Sequence, residues 1–523
     1  GGRLTGEGSD QLALVPPAAP RRSRPRRSAT VTVEGADRLP IAQVMIDSSL
    51  PHLDHPFDYL VPEALSATAV AGARVRVRFS GRLTNGIVVD RIERPEHAGD
   101  VRPLERVVGT EPVLTNETLP LVFAVAERYA GTFSDVVRAA VPPRHARADA
   151  VRVSPADRPL AADKALRHRW TAYADGGALV DRLSAPAVSP TRAVWSCAPA
   201  TSWSHDVAAL ALTVLAQPVG GVLIVVPDAA EVDRLVASLA PAREAGVLAT
   251  LTADQGPERR YREFLRVLRG GARVVVGTRG AVFAPVSDLR LIVVWDDGDD
   301  ALVDPQAPYW DARDVSALRS HATGCDLVVG SPARSVHTQQ WCETGWARSI
   351  EPTRATLNAR APVVRALQAD DAARDEASAV ARIPHQAWEV ARRAVSEGPV
   401  LVQVGRRGYL PALACQSCRE AARCSCGGPL QLTSADGVPA CSWCGALAGT
   451  WTCPSCGGHR LRAVAIGSER TAEEIGRAFP GVRVVSSHGG RVLASVPDEP
   501  CVVVATWGAE PTTDPGYRAV VIL

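Results

Sequence analysis

Val222-Leu223-Ile224-Val225-Val226 is an unbroken apolar run, mostly β-branched and closed by Pro227. Runs of the same kind recur at Val274–Val276, Leu291–Trp295 and Leu327–Val329. None of them alternates apolar with polar residues, so both faces of each strand are expected to be covered. The segments between them carry helical periodicity, as in Val232, Leu235, Val236 and Leu239. Strands separated by helices predict a parallel sheet with helices on both sides. A second set follows at Val400–Val404, Val482–Ser486 and Val502–Ala505, and a cysteine-rich stretch interrupts it. The expected architecture is therefore multidomain α/β, with two lobes and an insert in the second.

Eight of the twelve cysteines form the insert, as Cys415-x2-Cys418-x5-Cys424-x-Cys426-x14-Cys441-x2-Cys444-x8-Cys453-x2-Cys456. Four close pairs can supply two tetrahedral thiolate sites, each short loop offering two sulfurs to one ion. Gly427, Gly428, Gly445, Gly457 and Gly458 follow the pairs, where knuckle turns need permissive backbone. Structural zinc is the expectation, contributing on the order of 10 kcal/mol of folding energy per site. Redox thiols are the alternative. Cys197, Cys325, Cys342 and Cys501 lie in apolar surroundings and read as small buried hydrophobes. Clustered cysteines without an export signal point to a reducing, cytoplasmic compartment.

Toward the N-terminus the pattern shortens. Residues 1–39 form a basic Gly/Pro/Ser/Arg tail around Arg21–Arg27, either a solvated linker or a salt-sensitive phosphate contact. Residues 40–108 read as a small β-domain. In it Arg74-Val75-Arg76-Val77-Arg78-Phe79 alternates, with breaks at Gly72, Gly81 and Asn85-Gly86. One sheet face would carry Arg74, Arg76 and Arg78, as a solvated face or as a phosphate-binding one. Residues 109–148 read as a helical or winged-helix unit, Leu119, Leu121, Val122, Val125 and Ala126 following the plausible N-cap Asn116. Residues 149–189, rich in Ala, Arg, Asp and Pro, read as a linker with a loosely helical stretch around Lys164.

The chain has 523 residues, 46% hydrophobic and 22% charged, with a formal net charge of +2. That length allows three or four domains. No apolar run reaches the ~20 residues of a membrane helix, and no membrane partner is expected. The chain opens on Gly1 and closes within the apolar run Ala519–Leu523, which reads as a piece of a longer protein. Lys164 is the sole lysine among 58 basic residues, a bias that a GC-rich genome explains.

Several blocks resemble the PriA family of replication-restart proteins. Pro56-Phe57-Asp58-Tyr59-Leu60-Val61-Pro62 and the Arg74–Phe79 strand are similar to the family's domain for a DNA 3′ end. Val276-Gly277-Thr278-Arg279-Gly280-Ala281-Val282-Phe283-Ala284-Pro285 resembles a helicase block, and Asp311-Ala312-Arg313-Asp314 and Gly330-Ser331 follow in the family's order. Gly405-Arg406-Arg407-Gly408-Tyr409 then leads into the cysteines. The resemblance implies a 3′-end-binding domain, a winged helix and two RecA-like helicase lobes spanning 190–350 and 351–523, with a two-zinc insert at 412–462. It implies one zinc on Cys415, Cys418, Cys453 and Cys456 and another on Cys424, Cys426, Cys441 and Cys444. The Cys424-x-Cys426 pair is one residue tighter than the family's usual spacing.

The machinery for ATP departs from the family. A P-loop uses glycines to let backbone N–H groups cradle phosphates, a lysine for the β/γ oxygens and a hydroxyl for magnesium. The matching stretch, Val194–Asp206, has no glycine and no lysine, and Lys164 follows no glycine loop. Trp295 stands where the family carries its magnesium-binding aspartate, before the acidic run Asp296, Asp297, Asp299 and Asp300. That run reads as a solvated loop, with a lone magnesium site as the alternative. Ala505-Thr506-Trp507-Gly508-Ala509-Glu510 replaces a late helicase motif.

The expectation is a bacterial, nucleoid-associated scaffold that binds branched DNA with a 3′ end and promotes reloading of the replicative helicase without ATP or magnesium. Phe57, Asp58 and Tyr59 would form the pocket for the terminal nucleotide, and Arg74, Arg76 and Arg78 would contact phosphates. Expected partners are primosome and helicase-loading proteins, with a single-stranded-DNA-binding protein as a further candidate. The alternatives are an ATP-dependent 3′→5′ DNA helicase and a zinc-ribbon protein-interaction module.

Overall fold

The computed structural model describes residues 35–96, 99–156, 158–161, 163, 165–186, 189–366, 383–405, 412–433, 437–465 and 468–523. The basic tail around Arg21–Arg27, Lys164 and the Arg406–Tyr409 block lie outside the described residues. The chain divides into two compact units, residues 1–151 with 306–310, and residues 152–305 with 311–523.

The first unit is built on an antiparallel sheet of β1 (Ile41–Ile46), β2 (Phe57–Leu60), β3 (Arg74–Phe79), β4 (Arg82–Ile92) and β5 (Arg106–Val108), in the order β2-β1-β4-β3-β5. Strand alternation sends Val75 and Val77 into one core with Val44, Ile46, Tyr59 and Val88. The β3–β4 hairpin closes through Ser80 and Gly81, both at positive φ (46° and 79°), as a tight turn between paired Phe79 and Arg82 requires. Gly72, at φ +83°, is held by close approach: a Cβ there would lie 1.9 Å from the Leu114 carbonyl oxygen. Residues 109–148 contribute α1 (Thr118–Arg128) and α2 (Phe133–Ala140) and no regular strand among the described residues. Thr132 and Asp135 cap α2 reciprocally, and the Ser134 hydroxyl donates to the Ile46 carbonyl, tying α2 to β1.

The second unit holds two parallel sheets. The first lobe orders β6 (Arg192–Ser196), β7 (Gly221–Val225), β8 (Leu248–Leu251), β9 (Val274–Gly277), β10 (Leu289–Trp295), β11 (Asp326–Ser331) and β12 (Arg348–Ile350) as β12-β6-β11-β10-β7-β9-β8. The runs from Val222, Val274, Leu291 and Leu327 are its central strands, with every residue of β7, β9 and β11 buried. Part of the stretch expected as a linker belongs to this core. Trp170, Tyr173, Leu179, Val180 and Leu183 are buried against Trp195 and the helix Trp203–Leu215. The short helix Gly176–Leu183 buries Leu179, Val180 and Leu183 on one face, and Leu166 of the helix Ala165–Arg169 packs partly on the same core, a pattern that the surrounding Arg, Ala and Asp hide at the level of composition.

The second lobe is a parallel sheet of β13 (Val400–Val404), β18 (Arg483–Ser487), β19 (Cys501–Thr506) and β20 (Ala519–Ile522), in the order β18-β19-β13-β20. Between β13 and β18 the chain forms two small antiparallel ribbons. One pairs β14 (Ala412–Cys415) with β17 (Leu461–Ala465), and the other pairs β15 (Leu430–Gln431) with β16 (Ala440–Cys441).

Candidate DNA-binding face, metal centres and the first-lobe turn

Alternation along β2 separates the three residues expected to receive a DNA end. Phe57 and Tyr59 turn to the core face, and Asp58 turns to the opposite one, the face shared with Gln43 and Arg74. Tyr59 is only 4% exposed, and its hydroxyl donates to the Arg78 carbonyl at 3.3 Å. Phe57 is half-buried and joins a cluster of rings, 4.8 Å from Phe79 edge-on and 4.3 Å from His55. Asp58 accepts the Glu96 backbone N–H at 2.7 Å.

The arginines are engaged by protein groups. Arg74 donates to the Pro142 carbonyl at 2.7 Å, Arg76 to Asn85 Oδ1 at 2.6 Å, and Arg78 to Glu105 at 2.6 Å. They share the face opposite Val75 and Val77, so they do not line up with the Phe57 ring. Sequence reading missed His55 as part of the aromatic cluster. The available signal was its position two residues before Phe57, which puts both side chains on one side of an extended chain.

The eight clustered thiols gather into two tetrads, Cys415/Cys418/Cys453/Cys456 and Cys424/Cys426/Cys441/Cys444, the sulfurs of each lying within 4.8 Å of one another. In the first, Cys415–Cys456 and Cys418–Cys453 are 3.5 Å apart. In the second, Cys426 lies 3.5 Å from Cys441 and from Cys444, and Cys424 lies 3.8 Å from Cys444. Thiolates about 2.3 Å from a tetrahedral ion are about 3.8 Å from each other, so both tetrads have the dimensions of a metal site. The tighter Cys424-x-Cys426 pair reaches its tetrad without exception. Within each tetrad the thiols titrate as a coupled set: the Cys418 and Cys426 backbone N–H groups lower Cys415 and Cys424 to about 6, while, against the Glu420 and Gly428 amides, neighbouring sulfurs push Cys418 and Cys426 up to about 12. The Cys444 N–H lowers Cys441. Thiolates are the species that bind metal. No other His/Cys/Asp/Glu group of metal-binding dimensions occurs among the described residues.

In the first lobe, β6, a turn at Cys197–Ser202 and the helix Trp203–Leu215 form a strand–turn–helix in the stretch where the resemblance expects a P-loop. Aromatic rings fill its surroundings. Trp203 stacks on Trp295 with centroids 4.5 Å apart and planes at 7°, and Trp195 lies 5.4 Å from Trp295. Gly330 gives Trp195 its space, since a Cβ there would meet the indole at 2.3 Å. Two of the turn's amides are engaged by neighbouring elements: Ala198 N–H donates to the Tyr173 hydroxyl at 3.3 Å, and Cys197 N–H to the Ser331 carbonyl at 2.9 Å. The Tyr173 hydroxyl donates in turn to Asp206, 3.0 Å away, which also pairs with Arg169 at 2.9 Å. Burial raises the Asp206 carboxyl, and Arg169 and Tyr173 oppose that rise.

The acidic run after β10 is committed to structure. Asp297 is buried and accepts the Ser335 N–H at 3.2 Å and the Thr338 hydroxyl, bracing Ser335, the N-cap residue of the helix Val336–Glu343. Asp299 accepts the Ala301 N–H at 2.7 Å. Asp296, at φ +56°, has its carboxyl raised by burial and by Asp299 and Asp297.

Two mycobacterial proteins, each described as a probable replication restart protein PriA, align with nearly all of this chain. The Mycobacterium tuberculosis protein is 47% identical over 486 residues, covering 91% of this chain and 73% of its own length. The Mycobacterium leprae protein is 43% identical over 484 residues, covering 91% and 74%. The chain belongs to the PriA family of replication restart proteins. Residues 43–142 match the family's 3′DNA-binding domain, a span that includes α1 and α2 as well as the β-sheet. Among solved structures, Saccharomyces cerevisiae Dbp5 bound to RNA and ADP BeF3 overlays on 75% of the chain and 74% of its own, with TM-score 0.31 and 10% identity. In this PriA-family chain, the aromatic cluster occupies one end of the first lobe's parallel sheet, and the metal tetrads form a separate insert in the second lobe.

Proposed function

We propose that this chain is a replication-restart protein that recognises branched DNA through a free 3′ end and promotes helicase reloading without hydrolysing ATP. The observation that carries the ATP-independent part is the filled first-lobe turn. Trp195, Trp203 and Trp295 pack against one another beside this turn, an apolar setting that supports a turn without a triphosphate. The Ala198 N–H, a group that could otherwise face a phosphate, is bound to Tyr173. Loss of the lysine and magnesium ligand that neutralise charge on the transferring phosphoryl group costs orders of magnitude in rate.

The 3′-end reading rests on the family domain at 43–142. β2 is an edge strand, so a terminal nucleotide straddling it would meet the Phe57 ring, backed by Phe79 and His55, on one face and the Asp58 carboxylate on the other. Tyr59 supports the pocket from the core rather than stacking on the base. Arg74, Arg76 and Arg78 are phosphate contacts only if DNA displaces their protein partners. Two Zn2+ ions are the metals this all-thiolate chemistry favours, and they act as structural staples. The partners are primosome and helicase-loading proteins, with a single-stranded-DNA-binding protein as a further one, in the bacterial nucleoid.

The test is binding to a labelled fork whose leading-strand 3′ end carries a hydroxyl or a phosphate, measured alongside DNA-stimulated ATPase activity. Tighter binding to the hydroxyl end without ATP turnover is expected. Robust hydrolysis would return the chain to the ATP-dependent helicases, and indifference to the 3′ group would remove the end-binding pocket.

A further inference from the structure

Trp443 is 70% exposed at the tip of the Cys441–Cys444 knuckle, a costly place for a large aromatic ring that the fold does not use. The insert's small core consists of Leu413, Ala422, Leu430 and Cys441, with Trp451 packed partly against it; Trp443 is absent from it. The knuckle nevertheless fixes the ring's base. The Trp443 N–H donates to Cys441 Sγ at 3.4 Å, and the side chain lies close over Gly428, where an added Cβ would meet Cγ at 2.9 Å. On the same Gly427–Gly428 turn, the exposed Arg423 guanidinium donates to the Gly427 carbonyl at 2.9 Å. The Trp451 indole N–H holds the Arg423 carbonyl at 3.2 Å. An exposed ring and an exposed cation therefore flank one rigid glycine turn.

We propose that this knuckle is a stacking post for single-stranded DNA, with Trp443 receiving a base and Arg423 an adjacent phosphate. This rests on the reading that the chain works on branched DNA. Exposed arginines offer a phosphate local contacts: Arg423 beside the ring, and Arg419, Arg460 and Arg462 on the same insert. Every base presents a π-face, so a lone indole beside a cation binds single strands without reading sequence. A turn stapled by thiolates presents the ring with little conformational entropy left to lose. Val438 and Leu447 are exposed on the same insert, so an apolar protein partner is the competing occupant that the test must separate.

The experiment uses the zinc-loaded chain and a fluorescein-labelled oligothymidine ending in a 3′-phosphate, so that the 3′-end pocket does not contribute. Trp443→Ala is expected to weaken binding by about 5- to 150-fold. Trp443→Phe should retain most of the affinity, and Trp443→Leu, apolar but without a π-face, should behave like the alanine variant. Arg423→Ala should weaken binding and reduce the salt slope by about one. Zinc content reports whether the knuckle is intact, and if Trp443→Ala loses metal, the Phe and Leu pair decides. Unchanged affinity in Trp443→Leu with both zincs retained overturns the proposal and leaves the exposed ring to a protein partner. The 3′-hydroxyl preference on forks is read separately. Its loss with an intact Trp443 effect would sink the end-binding reading alone, and the converse would sink only the stacking post.

Discussion

Glu231 offers a direct measurement of how the first lobe is filled. It lies in the first turn of the helix Ala229–Ser238, where its N–H is capped by Asp228 at 2.8 Å. Burial, then Asp228 and Asp296, push its carboxyl from 4.5 up to about 7, against the opposing effects of Arg234 and a hydrogen bond with Trp295. Its Oε2 has no hydrogen-bond partner among the described residues. The folded-state pKa is raised, so between about pH 4.5 and 7 the folded form holds a proton that the unfolded form has released. Glu231 therefore favours folding most in acid, and that contribution is lost as pH climbs through this window. A shift of this size corresponds to on the order of 3 kcal/mol. Glu231→Gln keeps the shape and removes the titration. Urea unfolding followed by tryptophan fluorescence should show wild type losing stability relative to the variant as pH rises from about 5 to about 8. Asp228, Asp296 and Arg234 remain in both proteins, so the difference isolates Glu231. Parallel pH profiles for the two proteins would refute a buried, charge-resisting carboxylate at this position.

Chelation should release two metal ions per chain and collapse the 412–462 insert while the first lobe keeps its unfolding transition; a single released ion, counted by mass spectrometry under native conditions, would contradict the second tetrad. Gly72→Ala forces a side chain into φ +83° and against the Leu114 carbonyl, and should destabilise the N-terminal unit by at least about 2 kcal/mol in denaturant titration. Tyr173→Phe removes the hydroxyl that serves both Ala198 and Asp206, and should cost about 1–3 kcal/mol with no gain in ATP turnover. Asp58→Ala should abolish the preference of fork binding for a 3′-hydroxyl over a 3′-phosphate while leaving affinity for a 3′-phosphate-ended single strand unchanged. Retained discrimination would place the end-recognising group elsewhere.

The parallel strands were legible because both of their faces are buried, which removes alternation and leaves unbroken runs such as Leu291–Trp295. The cysteine spacing was legible because each short knuckle must carry two sulfurs to one ion. That the Val194–Asp206 stretch holds neither a glycine nor a lysine was likewise a property of the chain alone. A helical stretch near Ala165 was legible, but β6, the helix Gly176–Leu183 and their place in the core were not: their apolar residues are few and diluted by charge, and their burial is created by partners far along the chain. Only the tertiary structure could show that Trp195, Trp203 and Trp295, spread over a hundred positions, meet at one sheet end and fill it. The β2 pleat likewise decided that Phe57 and Asp58, adjacent in sequence, face opposite ways, because strand alternation acts on backbone geometry that composition does not record.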